Sequence, residues 1–113
     1  MHEQSITEKI LRVALAEAEA HGARRVTKIN ITIGALSGIA AGSVEFYFQI
    51  IARDTIAAEA QLEFKIQPAL LYCTQCQTEF QKDFFDFLCP VCSSPGKLGA
   101  VGRECLIESI EVE

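Results

Sequence analysis

The sequence predicts an α+β fold: a small three-stranded sheet with two helices, plus an inserted zinc-ribbon-like module. Three observations predict it. Apolar residues recur at helical spacing in two stretches, they alternate at period two in others, and two Cys-x-x-Cys pairs sit together ahead of the last alternating stretch. At 113 residues the chain has room for one modest core and a small appendage.

The first element opens at Ser5-Ile6-Thr7-Glu8, which has the form of a capping box with Ser5 at the N-cap and Glu8 reaching back to its amide. Behind it Ile6, Ile10, Val13, Ala14 and Ala18 fall on one helical face, and Gly22 is a good stop. Residues 1–4 are left as a short arm. From Val26 to Ile33 the period changes to two: Ile29, Ile31 and Ile33 point one way, Lys28, Asn30 and Thr32 the other, as in a strand with one buried face. Gly34 to Gly42 is rich in turn residues. A second helix is expected from about Ser43 to Arg53, with Val44, Tyr47, Phe48 and Ile51 on its core side. Leu62, Phe64 and Ile66 then alternate with Glu63, Lys65 and Gln67 in a second strand, which Pro68 ends.

Residues 71–99 differ in character, with paired cysteines, few periodic apolar positions and a Ser-Ser-Pro-Gly turn. The chain closes with a third strand from Cys105 to Val112. Its apolar positions change phase between Ile107 and Ile110, which predicts a bulge near Ser109. The expected division is therefore one α/β domain, 1–70 with 100–113, interrupted by a metal-binding module, 71–99.

Composition narrows the function. Half of the residues are hydrophobic, which fits a folded chain and not a disordered one. No apolar run approaches the ~18 residues that a membrane helix requires. Glu3, Glu8, Lys9 and Arg12 interrupt the N-terminal apolar residues, unlike a secretory signal, so a cytoplasmic protein is the expectation. The net charge is −5, whereas nucleic-acid binding needs clustered Lys and Arg. Four thiolates around one zinc ion add about −2 more. Neither nucleic acid nor membrane is an expected partner.

Cys73-Thr-Gln-Cys76 and Cys89-Pro-Val-Cys92 are separated by twelve residues. Each pair can turn two thiolates toward one ion, and two pairs supply the tetrahedral four-sulfur shell that zinc prefers. Disulfides are the bland alternative, disfavoured by the odd cysteine count and the intracellular expectation. Iron is a sharper rival, because a rubredoxin-like centre uses the same four sulfurs to carry electrons. If the ion is zinc, it staples a segment too short to fold unaided and leaves no open coordination position for hydrolysis. Cys105, between strand-like neighbours, is expected to pack in the core as a small hydrophobe. Phe84, Phe85 and Phe87 are expected to cover the module's small core.

Met1-His2-Glu3 would pass as a frayed terminus on composition alone. Its chemistry suggests more. With His2 in second position, the Met1 α-amine, the residue-2 amide nitrogen and the imidazole can close adjacent chelate rings, an arrangement that suits Ni(II) or Cu(II). Glu3 can add an oxygen, or favour the following helix N-terminus through its charge. His21, at the end of the first helix, reads as a structural partner of the helix dipole.

Met-His-Glu-Gln-Ser-Ile at the N-terminus, Ile-Gly-Ala-Leu-Ser-Gly after the first strand, the double Cys-x-x-Cys and the ending Ile-Glu-Ser-Ile-Glu-Val-Glu together closely resemble the HypA/HybF family of nickel-insertion proteins. The resemblance spans essentially the whole chain. It implies a nickel-binding α/β domain with a zinc domain, and a role in maturing [NiFe]-hydrogenase. It also implies work alongside a HypB-type nickel GTPase and the hydrogenase large subunit, in some organisms a contribution to urease maturation through its accessory proteins, and a monomer or homodimer. His2 matches the family's nickel histidine, Cys73, Cys76, Cys89 and Cys92 match its zinc ligands, and Glu3 holds the position tied to nickel selectivity. Some members carry histidines beside the zinc cysteines; none lies between Leu71 and Gly99 here. The expected activity is thus a nickel metallochaperone, not an enzyme, with Ni(II) as cargo and Zn(II) as a structural ion. The alternatives are a rubredoxin-like electron carrier and a nucleic-acid-binding zinc ribbon.

Overall fold

The computed structural model describes residues 3–81, 88–98, 102 and 104–113. Two helices and a three-stranded sheet form the larger part: α1 (Glu3–Ala20), β1 (Val26–Gly34), α2 (Ala41–Ile51), β2 (Gln61–Gln67) and, at the end of the chain, β6 (Cys105–Val112). Between β2 and β6 lie three short strands, β3 (Leu70–Cys73), β4 (Thr78–Gln81) and β5 (Lys97–Leu98). They make a second sheet in the order β4-β3-β5, beside the first in the order β2-β1-β6.

The alternation of Ile29, Ile31 and Ile33 has the expected result: all three are at most 2% exposed. Parallel neighbours need a crossover, and α2 supplies it between β1 and β2, which run parallel in the register Ile29↔Leu62 to Gly34↔Gln67. On the other side β6 runs antiparallel to β1. Its register passes from Asn30↔Ser109 to Ile31↔Ile107, so Glu108 is the extra residue of a bulge. That bulge lies one residue before the expected place. The Thr32 hydroxyl donates to the Glu108 carboxylate at 2.7 Å, which ties the bulged residue to the central strand.

Ile6, Ile10, Ala14 and Ala18 of α1 and Val44 and Phe48 of α2 are buried together with the β1 isoleucines in one core. Helix α1 ends as expected: Gly22 adopts φ +64°, with its N–H on the Glu19 carbonyl at 3.0 Å and the Ala23 N–H on the Ala18 carbonyl at 2.9 Å. This pair of bonds is the Schellman closure, and the left-handed residue it needs costs least when it is glycine.

Three expectations are corrected. Helix α1 begins at Glu3, not after a Ser5 cap; Ser5 is an exposed residue of its first turn. The buried Thr7 hydroxyl instead donates to the Glu3 carbonyl at 2.5 Å. Val13 is 43% exposed and Ile66 is 58% exposed. Periodicity assigns a side chain to a face, but burial also requires another element over that face. Ile66, near the end of an edge strand, has none.

Candidate metal centre

Period two resumes in β3, out of phase with β2: Leu71 and Cys73 are buried and Tyr72 is exposed. The chain then turns sharply. The Gln77 N–H reaches the Cys73 carbonyl at 2.8 Å, and the Cys76 N–H points at the Cys73 sulfur at 3.4 Å. The second pair repeats the plan: the Ser93 N–H reaches the Cys89 carbonyl at 2.9 Å, and the Cys89 N–H bonds to the Ser94 carbonyl at 2.8 Å. Each turn is closed by a residue in the left-handed region, Gln77 at φ 56° and Ser93 at φ 63°. Sequence reasoning missed both, although each directly follows a Cys-x-x-Cys and so could have been found from the turn it must close.

These paired turns aim four sulfurs at one point. The sulfurs of Cys73, Cys76, Cys89 and Cys92 all lie within 4.8 Å of one another, with Cys73–Cys92 at 3.4 Å and Cys76–Cys89 at 3.9 Å. A regular tetrahedron with metal–sulfur bonds of about 2.3 Å has edges of about 3.8 Å, so the donor set fits a single tetrahedral ion of zinc size. All five cysteines are free thiols, and Cys105 stands apart from the four.

The protein's own groups bias the cluster unevenly. The Ser94 hydroxyl and backbone, hydrogen-bonded to Cys92, bring its thiol down to about 6, while the hydrogen bond with Cys92, with burial and the other two sulfurs, pushes Cys76 up to about 12. A divalent ion at the centre favours the thiolate at all four positions. Behind the sulfurs the module packs tightly. A Cβ on Gly96 would come within 2.6 Å of the Phe80 ring and 2.9 Å of Leu71, so these two side chains close over the chain just before β5. The expected cover, Phe84, Phe85 and Phe87, lies outside the described residues; Phe80 and Leu71 are the described part of this small core.

The left-handed positions give a direct test of the turns. A non-glycine residue there carries about 1 kcal/mol of strain, so Gln77→Gly and Ser93→Gly are each expected to stabilise the module by up to about that amount. Gln77→Val, β-branched at positive φ, is expected to cost about 1–2 kcal/mol. Thermal unfolding of the metal-loaded protein measures both. A destabilising Gln77→Gly would show that its side chain makes contacts that outweigh the backbone.

The remaining candidate residues sit apart from the sulfurs. Cys105 is half-buried against the α/β core, and that burial raises its thiol pKa, as expected of a packing residue. His21 meets Glu17 one helical turn away at 3.0 Å, in keeping with a structural role. Glu3 lies in the first turn of α1, whose Ile6, Lys9 and Ile10 line a cavity of about 190 Å³ with Cys105, Leu106 and Ile107. Met1 and His2 lie outside the described residues.

The start of β6 is also the end of the sheet where the cysteine segment departs and returns. The Gly34 N–H bonds to the Glu104 carbonyl and the Leu36 N–H to the Gly102 carbonyl. Gly102, at φ +90°, lies so near the other connection that a Cβ would sit 2.7 Å from the Ala69 Cα. Helix α1 therefore starts at the end of the α/β part from which the cysteine segment leaves.

The fold and the sulfur cluster define a class: a small α+β protein with a zinc-ribbon module built on a four-cysteine metal site. The family model described as "Hydrogenase/urease nickel incorporation, metallochaperone, hypA" matches residues 1–112, and the chain belongs to the HypA family. It is 46% identical to the hydrogenase maturation factor HypA of Caldanaerobacter subterraneus subsp. tengcongensis, over the full length of both chains. Two solved structures share the fold. The solution structure of a HypA protein superimposes with a TM-score of 0.76 at 21% identity, covering 100% of this chain and 97% of the other. That of the Ni metallochaperone HypA from Helicobacter pylori gives 0.69 at 20% identity, covering 99% and 97%.

Proposed function

We propose that this protein is a nickel metallochaperone that delivers Ni(II) for [NiFe]-hydrogenase maturation and holds one structural Zn(II) on Cys73, Cys76, Cys89 and Cys92. The observation that carries the reading is the family match across residues 1–112, which takes in the Met1-His2-Glu3 terminus as well as both cysteine pairs. The two metals divide by chemistry. A four-sulfur shell is closed and holds its ion as part of the fold. Cargo needs donors that can exchange, and an α-amine with an adjacent imidazole at the chain terminus offers a nitrogen-rich set that Ni(II) favours. In this reading His2, with the Met1 amine and Glu3, receives nickel, while residues 71–99 form the zinc module.

The partners follow from the same reading: a HypB-type nickel GTPase upstream and the hydrogenase large subunit as recipient, with urease accessory proteins where a urease is made. The protein catalyses no bond-making step of its own. No helix among the described residues is long and apolar enough to cross a membrane, and the proposed compartment is the cytoplasm.

Two measurements test the proposal together. Purified full-length protein is expected to be colourless with one tightly held zinc per chain; a red protein with thiolate-to-iron absorption would replace zinc by a rubredoxin-like iron centre. Cells lacking the protein are expected to lose [NiFe]-hydrogenase activity and to recover it when nickel is supplied in excess, because mass action then bypasses delivery. Full hydrogenase activity in such cells at low nickel would overturn the chaperone role.

A further inference from the structure

The four sulfurs of the metal centre differ in what can reach them. Cys92 is exposed and Cys76 partly so, whereas Cys73 and Cys89 are buried. Close contacts between sulfurs run across the two turns: Cys92 lies 3.4 Å from Cys73, and Cys76 lies 3.9 Å from Cys89. Each of these pairs joins one accessible sulfur to one buried sulfur of the other turn. Zinc has no redox chemistry of its own, so oxidation at such a centre falls on the thiolates, which are also its nucleophiles. A two-electron oxidant arriving from solvent meets Cys92 first. Behind Cys92 a resolving sulfur is already in contact. An accessible thiolate poised next to a resolving one is the arrangement that redox-reactive cysteines share.

We infer that Cys92 is a modification site for hydroperoxides, and that Cys73 resolves the oxidised sulfur into a disulfide joining the two turns. The inference rests on the zinc reading proposed above. The Cys92 thiolate attacks one oxygen of hydrogen peroxide; the O–O bond breaks, hydroxide leaves, and Cys92 becomes a sulfenic acid. The Cys73 thiolate then attacks the Cys92 sulfur; the S–O bond breaks and a second hydroxide leaves. Two thiolates thus lose two electrons, and the peroxide, with two protons from solvent, becomes two waters. Because Cys73 is already 3.4 Å away, resolution outruns a second peroxide, and oxidation stops at the reversible disulfide instead of running on to sulfinic acid. Cys76 and Cys89 alone then face the ion, and two donors do not complete the four-sulfur shell that retains it.

The change is confined to the module. Cys73 and Cys92 are 19 residues apart in sequence, so their disulfide ties β3 to the second turn and keeps the segment closed after the ion has left. None of the four cysteines belongs to the larger core. Cys105 packs against that core, apart from the cluster, and takes no part in the exchange. A hydroperoxide therefore dismantles the metal site and a dithiol reductant restores it, with the α/β part folded throughout.

Zinc-loaded full-length protein, freed of reductant and treated with an equimolar amount of hydrogen peroxide, tests this. A chromogenic chelator reads zinc release, alkylation counts the remaining thiols, and peptide mass mapping locates the disulfide. Zinc release is expected to keep pace with the loss of two thiols. The Cys73–Cys92 disulfide is expected to exceed Cys73–Cys76 and Cys89–Cys92 about tenfold or more. Dithiothreitol with added zinc is expected to restore the metal content, and Cys105→Ser to release zinc at the wild-type rate. Cys92→His keeps a zinc donor in place but removes the sulfur that the oxidant reaches, and is expected to slow zinc release about tenfold or more. Should Cys92→His fail to hold zinc, the wild-type disulfide map decides alone. Disulfides formed within the turns, a disulfide to Cys105, zinc retained after the thiols are lost, or a loss that dithiothreitol does not reverse overturns the inference. A centre found to hold iron before peroxide is added overturns the zinc reading and the inference with it; a zinc-loaded protein that resists peroxide overturns the inference alone.

Discussion

Cys89→Ser is expected to release zinc and unfold residues 71–99 while leaving the α/β sheet in place. Cys89 is buried, its carbonyl closes the second turn through Ser93, and its sulfur is 3.9 Å from that of Cys76. Serine keeps the backbone bond but offers zinc a poor ligand, so the effect falls on the metal. Ion binding in small four-ligand modules is worth about 10–16 kcal/mol of apparent free energy, more than the ordering of a short segment requires. The module has little else to hold it: strands of four, four and two residues and a core described by Leu71, Phe80 and the buried cysteines. The larger core, by contrast, is built from α1, β1 and α2 with support from β2 and β6, and neither Leu71 nor any of the four cysteines belongs to it. Metal analysis after dialysis against a chelator is expected to find zinc in the wild type and little in the variant. Amide exchange is expected to show Leu71 and Tyr72 deprotected while Ile29, Ile31 and Ile33 stay protected. Loss of protection at the isoleucines as well would show that the two sheets fold as one unit.

The distribution of that stability also explains what can be read from the residues alone. Ile29, Ile31 and Ile33 announce a buried strand because period two and complete burial coincide there, and the cysteine pairs announce their geometry because four sulfurs around one ion permit few arrangements. The phase change between Ile107 and Ile110 locates the Glu108 bulge to within one residue, since only an inserted residue can return both to the same face. What cannot be read depends on elements distant in sequence. Ile66 keeps the alternation and is still exposed, and Val13 has helical spacing and is still exposed, because neither pattern records which neighbour covers it. The start of α1 escapes the pattern because a capping-box motif at Ser5 outweighs a helix that already includes Glu3. Gln77 and Ser93 escape it because a left-handed turn residue is usually recognised by its being glycine.

Nickel binding is expected to depend on a free N-terminus and to fall steeply with pH, while zinc is indifferent to the first. The proposed site joins the Met1 α-amine to the His2 imidazole. Each binds metal only when unprotonated, so protons compete with nickel and affinity drops as pH is lowered. Groups of these kinds titrate near about 7.7–8.0 and 6.5 in unstructured peptides, so passing from pH 8 to pH 6 is expected to reduce nickel affinity about a hundredfold. If the residue-2 amide nitrogen also ligates, it must lose its proton, and the pH dependence steepens by a further tenfold per unit. An uncleaved N-terminal tag turns the amine into an amide, and His2→Ala removes the imidazole; both are expected to abolish most nickel affinity and leave zinc in place. Glu3, in the first turn of α1, is unchanged in both proteins, so Glu3→Gln separately reports whether a carboxylate oxygen contributes. Copper(II) stands above nickel(II) in the stability order and is expected to compete in the test tube, which leaves cellular selectivity to metal supply and to the partner proteins. Calorimetric titration of nickel into tag-free, tagged and His2→Ala proteins at pH 8 and pH 6 decides the matter. Equal affinities in all three, or no change between the two pH values, would remove the terminal site and place the cargo on other donors.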